Sequence, residues 1–325
     1  MINISVVVPI FNEEENVPLL CEKLNEVMSS LPKSYEIVLI DDGSSDTSWE
    51  KMLQCSRKYK HIRLIKFRRN FGQTPAMSAG FRESKGEIII TLDADLQNNP
   101  ADIPKIVEQM EKGFDVVSGW RKDRKDPFIN RRLPSIMANG LISKITGVPL
   151  HDYGCTLKGY RREIVQNLDL YGEMHRFIPA LASWVGGAIS EIPVDHQPRR
   201  FGKSKYGISR TLRVVLDLIT VKFLLKYSTR PIQIFGKIGL ILGSLGAIWL
   251  ITMMGLHILF KFGIGTEAMA KLIKSPFWVT TSFMLIFFGV QFLSMGLLAE
   301  IQIRTYHESQ NKPIYVIKEI VEPNA

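Results

Sequence analysis

The sequence predicts an α/β domain with a mainly parallel sheet, followed by an amphipathic membrane-interface segment and two transmembrane helices. Three observations carry this. Short apolar runs alternate with polar, helix-like segments over the first 120 residues; two long stretches near the C-terminus carry no charge; and basic residues gather just before them. With 325 residues, 46% of them hydrophobic, the chain has apolar sequence left over once a single core is filled.

The candidate strands are Ile4 to Val8, Tyr35 to Ile40, Ile62 to Lys66, Glu87 to Leu92 and Val116 to Ser118, most bounded by Gly, Asp, Asn or Pro. Ligands of parallel sheets collect at the carboxyl ends of the strands. The most polar words of this region stand there: Pro9-Ile10-Phe11-Asn12-Glu13, Asp41-Asp42-Gly43-Ser44 and Asp93-Ala94-Asp95-Leu96-Gln97. Hard divalent cations such as magnesium and manganese take oxygen ligands, commonly one or two carboxylates plus substrate phosphates. Asp93 and Asp95 offer carboxylates and Gln97 a third oxygen. Alone, an Asp-x-Asp is more often a solvated turn; three acidic clusters on one sheet edge make a ligand site the better reading. An Asp at such a turn accepts hydrogen bonds from a base or ribose, while an Asx-turn accounts for Ser44 and Asp46.

Ile238 to Phe260 (23 residues) and Pro276 to Ala299 (24 residues) contain no Asp, Glu, Lys or Arg, and each exceeds the roughly 20 residues a helix needs to cross a bilayer. From Gly207 to Ser228 the period is helical, with Ile208, Leu212, Val215, Leu216, Ile219 and Phe223 on one face and Arg210, Arg213 and Asp217 opposite. Such a helix either lies in the membrane interface or packs on the soluble domain. Pro313 to Val321 has the composition of one more strand, with no readable partner. The resulting division is 1–206 for the α/β domain, 207–229 for the amphipathic segment, 230–300 for the spans and 301–325 for the tail.

The net charge of +9 is local: between Arg199 and Lys237 ten Lys or Arg face one acid, Asp217. A cationic block directly before a span points to anionic head groups or a phosphorylated lipid, and no motif supports nucleic acid. Cys21, Cys55 and Cys155 form no Cys-x-x-Cys pair, which fits a reducing compartment. The N-terminus reads as a strand rather than a signal peptide, and Lys and Arg flanking the spans favour both chain ends inside, on the cytoplasmic membrane face. No strand is followed by Gly-x-Gly-x-x-Gly, which argues against a dinucleotide-dependent oxidoreductase.

Together with Arg69-Asn70-Phe71-Gly72-Gln73, the three acidic words resemble the successive motifs of family 2 glycosyltransferases with the GT-A fold. The chain is most similar to the polyprenyl-phosphate group, which includes dolichyl-phosphate mannose synthases and bacterial undecaprenyl-phosphate transferases. His151-Asp152-Tyr153-Gly154-Cys155, Arg200 to Tyr206 and the paired spans extend the resemblance over nearly the whole chain. It implies a GT-A catalytic domain over 1–206 that moves a sugar from a UDP- or GDP-linked donor to a polyprenyl phosphate, with inversion. Pro9, Phe11, Asn12, Glu13, Asp41, Asp42, Gly72, Gln73 and Ala94 would line the nucleotide-sugar pocket. Asp93 would stand near the sugar and diphosphate, and Asp95 with Gln97 would ligate Mg2+ or Mn2+. Arg121, Arg131, Ser135, Arg200 and Lys205 would meet the lipid phosphate, although surface exposure explains Arg131 as readily. Asp152 is the implied orienting or basic carboxylate; where some relatives carry a further acid, Thr156-Leu157-Lys158 stands here. The resemblance also admits a homo-oligomer. A processive polysaccharide synthase would carry a Gln-x-x-Arg-Trp word, which is absent, and a non-catalytic scaffold would be expected to have lost an acidic motif.

Overall fold

The computed structural model describes residues 2–122, 133–166, 168, 170, 174–198, 232–264, 266–309 and 315–323. The chain divides into two compact units, Met1–Lys222 with Pro313–Ala325, and Phe223–Lys312. The amphipathic segment 207–229 lies outside the described residues.

In the first unit, strands β1 (Ile4–Ile10), β2 (Tyr35–Asp41), β3 (Ile62–Phe67), β4 (Ile88–Thr91), β5 (Val116–Trp120), β6 (Lys158–Arg161), β7 (Ile189–Pro193) and β8 (Ile317–Val321) form, among the described residues, one eight-stranded sheet in the order β7-β5-β6-β4-β1-β2-β3-β8. β1 pairs in parallel with both β2 and β4, and β2 with β3. Their runs of Val, Ile and Leu are buried on both faces because helices cover both, as parallel sheets require. Helices α1 (Val17–Ser29), α2 (Ser48–Lys58) and α4 (Ile103–Glu111) enclose the larger core with Val6, Val8, Leu39, Leu64 and Ile90. On the opposite face α3 (Gln73–Glu83) lies so close that a Cβ on Gly80 would sit 2.2 Å from Val7 Cγ1.

All five predicted strands form. β6 and β7 were not legible, and β6 enters antiparallel between β4 and β5. The strand expected near the C-terminus forms over Ile317–Val321 and pairs with β3. Helices α5 (Leu133–Thr146), α6 (Arg162–Val165) and α7 (Ile178–Trp184) also belong to this unit.

The second unit holds α8 (Ile232–Lys261), α9 (Glu267–Lys274) and α10 (Pro276–Ser309). Phe235–Lys261 and Pro276–Ala299 are long and apolar enough to cross a membrane, and only 17% of the most apolar window of each is buried. A soluble core helix of this composition would hide such residues, whereas Leu240, Ile251, Phe283 and Leu298 face outward. The two helices approach through small residues: a Cβ on Gly239 would lie 2.7 Å from Gly289 O, and one on Gly246 2.8 Å from Ser282 O.

Candidate active site

Because β1 to β4 share one direction, the turns that leave them emerge on one edge. Pro9 is tolerated inside this central sheet because β4 has ended by then: Leu92 N donates to Val7 O, and the side where Pro9 lacks an N–H lies beyond the last β1–β4 pair, Val7 with Thr91. The turn after β1 docks on the turn after β2. Asn12, at a φ of 52°, accepts from Ser45 N at 2.8 Å through Oδ1 and donates its own backbone N–H to Ser44 Oγ at 3.0 Å. Glu13 N donates to Ser48 Oγ at 2.8 Å, and Glu13 Oε2 accepts from Asn16 Nδ2 at 2.7 Å.

Asp41 and Asp42 are adjacent and both buried, yet they do different work. Asp41 Oδ1 accepts from Ser44 N at 3.0 Å, and Oδ2 is buried with no hydrogen-bond partner among the described residues. Asp42 instead holds the loop after β3. Its carboxylate accepts from Phe71 N at 2.7 Å, Gly72 N at 2.9 Å and Asn70 Nδ2 at 3.0 Å. Gly43 makes that closure possible, since at a φ of 69° its Cβ position is 2.3 Å from Arg69 C and 2.5 Å from Asn70 N. Gly43→Ala is therefore expected to cost roughly 2–4 kcal/mol through left-handed strain and backbone overlap. A thermal melt reads that loss, and a nucleotide titration should show weakened binding in the fraction that still folds.

Burial pushes the Asp42 carboxyl up to about 6, against the opposing pull of the Phe71 and Gly72 N–H groups. Since the folded value lies above the ordinary 3.8, the folded state binds more protons between those limits. Its contribution to stability is thus present below pH 4 and is lost as pH rises through 6. Loop closure runs the other way, because only the ionised carboxylate accepts all three bonds. Nucleotide affinity is expected to fall as pH drops through about 6, and Asp42→Asn should flatten that part of the profile when titrated beside wild type between pH 5 and 7.5.

Gln73, at the start of α3, donates through Nε2 to Asp93 Oδ1 at 2.7 Å. Burial, with the neighbouring Asp95 charge, raises the Asp93 carboxyl to about 7, opposed by Thr156 and Arg121. Asp95 is buried, and its Oδ1 accepts from Gln97 N at 3.1 Å. Leu96 between them stands at a φ of 58°, a conformation a leucine rarely adopts, so this acidic turn stores strain beside the site. Its far side is tied down by Gln197 N to Gln97 O at 2.9 Å and by Asn98 Nδ2 to Thr156 Oγ1 at 2.8 Å. No group of three or more His, Cys, Asp or Glu among the described residues is arranged as a metal cage. A hard cation sharing its shell with a diphosphate needs none, and the oxygens of Asp95 and Gln97 fit that chemistry.

Arg121, just past β5, forms a two-pronged pair with Asp152: Nε to Oδ2 at 2.7 Å and Nη2 to Oδ1 at 3.0 Å. Gly154 N also donates to Asp152 Oδ1 at 3.0 Å. Burial opposes the guanidinium charge, and the bonds and charge of Asp152 more than offset it, so Arg121 is held charged. α5, which carries Ser135, is tied to the same segment by Asn139 Nδ2 to His151 O at 2.7 Å and by Thr146 Oγ1 to Tyr153 OH at 2.9 Å. Arg131, Arg200 and Lys205 lie outside the described residues.

The sequence does not single out the buried polar groups on β6 and beside Thr74. Lys158, buried on β6 opposite Thr91 and Ser118, donates to Tyr153 O at 3.0 Å, and burial lowers its ammonium to about 8. His175 Nδ1 meets Thr74 Oγ1 at 2.8 Å, and burial pushes its imidazole down to about 3, which leaves it neutral. The only signal available was Lys158 itself, a charge inside the short word Lys-Gly-Tyr-Arg.

The edge geometry, with acidic turns after parallel strands and an arginine fork beside them, agrees with what comparison shows. The chain belongs to glycosyl transferase family 2, whose model matches residues 5–169. It is 43% identical over 332 aligned positions to the dodecaprenyl-phosphate galacturonate synthase of Rhizobium johnstonii, spanning 99% of this chain and 94% of the relative. It is 38% identical over 322 positions, 99% of this chain and 95% of the other, to the undecaprenyl-phosphate 4-deoxy-4-formamido-L-arabinose transferase of Photorhabdus laumondii. Among solved structures, glucosyl-3-phosphoglycerate synthase from Mycobacterium tuberculosis, crystallised with Mn2+, UDP and its product, superposes with a TM-score of 0.54 at 16% identity, covering 69% of this chain and 79% of that one. That likeness speaks for the fold, the GT-A type.

Proposed function

We propose that this protein transfers a sugar from a nucleoside diphosphate donor to a polyprenyl phosphate at the membrane, with inversion at the anomeric carbon. The relatives named above act on dodecaprenyl and undecaprenyl phosphate, and the match to them runs through the apolar helices as well as the α/β unit. The observation that carries the donor reading is Asp41 Oδ2. A buried carboxylate oxygen lacking a partner at the ligand edge of a parallel sheet suits an N–H of a nucleobase. Pro9, Phe11, Asn12, Glu13, Gly72, Gln73 and Ala94 surround the same edge and complete the donor pocket.

In this reading Asp95 and Gln97 would hold Mg2+ or Mn2+, which would supply a positive charge to offset the negative charge developing on the departing diphosphate. Asp93, fixed by Gln73, stands toward the sugar. The acceptor phosphate oxygen bonds to C1 as the bond from C1 to the β-phosphate oxygen breaks, and the nucleoside diphosphate leaves. A phosphate monoester is largely ionised near pH 7 and needs no strong base. Asp152, both of whose oxygens accept from Arg121, is therefore better read as the residue that aims Arg121 than as a base. Arg121 Nη1, which makes no hydrogen bond among the described residues, is the group offered to phosphate. Ser135, Arg131, Arg200 and Lys205 add to that acceptor site, and the basic block before the first apolar helix keeps the catalytic unit at the cytoplasmic face of the inner membrane.

A panel of labelled UDP- and GDP-sugars, incubated with purified protein, undecaprenyl phosphate and Mg2+ or Mn2+, tests the proposal. One donor should yield a solvent-extractable glycolipid, fixing nucleotide and sugar together; no glycolipid from any donor would sink it.

A further inference from the structure

β8 closes the sheet edge beside the loop that Asp42 holds. It pairs with β3 as Leu64 with Val321, Ile65 with Ile320 and Lys66 with Glu319, and the register shifts between Lys66 and Phe67. Pairing continues beyond the shift, with Arg68 N donating to Val316 O at 3.1 Å. There the buried Tyr315 ring stacks on Phe67, centroids 5.2 Å apart and planes 13° from parallel. Phe67 in turn meets Phe71 edge-on at 5.7 Å and 89°, and the Arg69 guanidinium covers the Phe71 ring at 4.1 Å. Phe71 is also the residue whose backbone N–H is bonded to Asp42.

The two ends of β8 differ in kind. At its far end Glu322 pairs with Arg63 at 2.9 Å and with Lys85 at 3.2 Å, contacts that only fasten the strand to the sheet. At its near end three aromatic rings run from the tail into the 68–72 loop. An edge strand needs covering whatever the function of the protein. A planar stack aimed at a loop whose other side is held by a buried carboxylate does more than cover an edge, because the loop is then fixed from both sides.

We propose that Tyr315 is a positioning residue of the donor site: through Phe67 and Phe71 it sets the Arg69–Gln73 loop against Asp42, so the C-terminal strand contributes to nucleotide binding without touching the nucleotide. This rests on the reading of that loop as part of the donor pocket. Its consequence is that donor affinity depends on residues some 240 positions away in the chain, beyond both apolar helices.

The test uses the full-length protein and a graded series, Tyr315→Phe, Tyr315→His and Tyr315→Leu, with Glu322→Gln as the control. UDP and GDP dissociation constants, donor KM, kcat and Tm are measured for each. Tyr315→Leu should raise Kd and KM roughly fivefold, the size of a lost aromatic stack, with kcat within about twofold of wild type. Tyr315→Phe, which loses only the hydroxyl and its bond to Arg82, should match wild type in Kd and KM, and Tyr315→His should fall between, which keeps the series informative should the leucine variant not fold. Glu322→Gln should lower Tm and leave Kd alone. Unchanged Kd across the Tyr315 series despite a falling Tm would overturn the inference, as would an equal shift of Kd in Glu322→Gln. If wild type binds neither nucleotide, the donor-site reading itself fails; if it binds and the Tyr315 variants bind equally, only this inference does.

Discussion

Asp95→Asn is expected to leave a folded protein whose sugar transfer falls by about 10^3-fold, because in the proposed function the charge that would face the metal and diphosphate is gone while the turn survives. The asparagine Oδ1 still accepts from Gln97 N, the bond that Asp95 makes at 3.1 Å. Melting should therefore move little. Asp95→Ala removes that acceptor as well, so it should show the same loss of turnover with a lower Tm. Steady-state rates over a Mn2+ titration separate the two contributions: a metal ligand makes saturation shift upward in the asparagine variant, whereas a purely structural Asp95 would leave the metal dependence of the residual rate unchanged.

Arg121→Met has the second largest expected effect, and it acts on stability and chemistry together. Asp152 is 2% exposed, and losing the two-pronged arginine leaves a buried carboxylate that the Gly154 N–H compensates less well, a cost of up to about 3–5 kcal/mol. The double variant Arg121→Met with Asp152→Leu removes both charges and should recover most of that loss, since a buried pair replaced by apolar groups is often close to neutral. Transfer should not recover. If it did, the pair would be scaffolding and the arginine would have no part in meeting phosphate. Arg121→Lys keeps a charge and loses the fork, so its expected stability lies between wild type and Arg121→Met.

The elements that were readable in the sequence are those whose environment is uniform. β1 to β4 lie between two helical layers, so most of their residues are apolar whichever way they point, Ser5, Glu36 and Arg63 being buried exceptions, and a run such as Ile88-Ile89-Ile90 can be read without knowing the neighbours. β6 contradicts that rule. Its Lys158 is buried in a polar layer built from Thr91, Ser118 and Tyr153, residues far apart in sequence, so composition could not mark it as a strand. β7 carries a Ser, a Glu and a Pro in five residues and is half-exposed, and it is held by pairing with β5 and by bonds from Gln109 and His151 to its Ser190 and Glu191 side chains.

The site was legible as a place more than as a set of roles. The positions of acidic words after strands identified the edge, because a parallel sheet puts its ligands there. Their division of labour depended on the side to which each chain atom points. Consecutive residues of an extended chain face opposite ways, which is why Asp41 keeps a buried oxygen with no hydrogen-bond partner among the described residues while Asp42 turns to the 69–72 loop. The pairing of Arg121 with Asp152 spans 31 positions, and nothing local to either residue signals it. Of the two roles the sequence leaves open for Asp152, orienting or basic, the bonds to Arg121 favour the orienting one in the function proposed.

The most direct test of the central claim is the phosphorus count of the lipid product. Purified full-length protein, undecaprenyl phosphate, the matching nucleotide sugar and a divalent cation are incubated, and the extracted lipid is analysed by mass spectrometry while the released nucleotide is quantified. Transfer to the acceptor phosphate oxygen predicts a polyprenyl monophosphate sugar and one nucleoside diphosphate released per lipid formed. A polyprenyl diphosphate sugar with release of nucleoside monophosphate, or nucleoside diphosphate release with no lipid product, would contradict it.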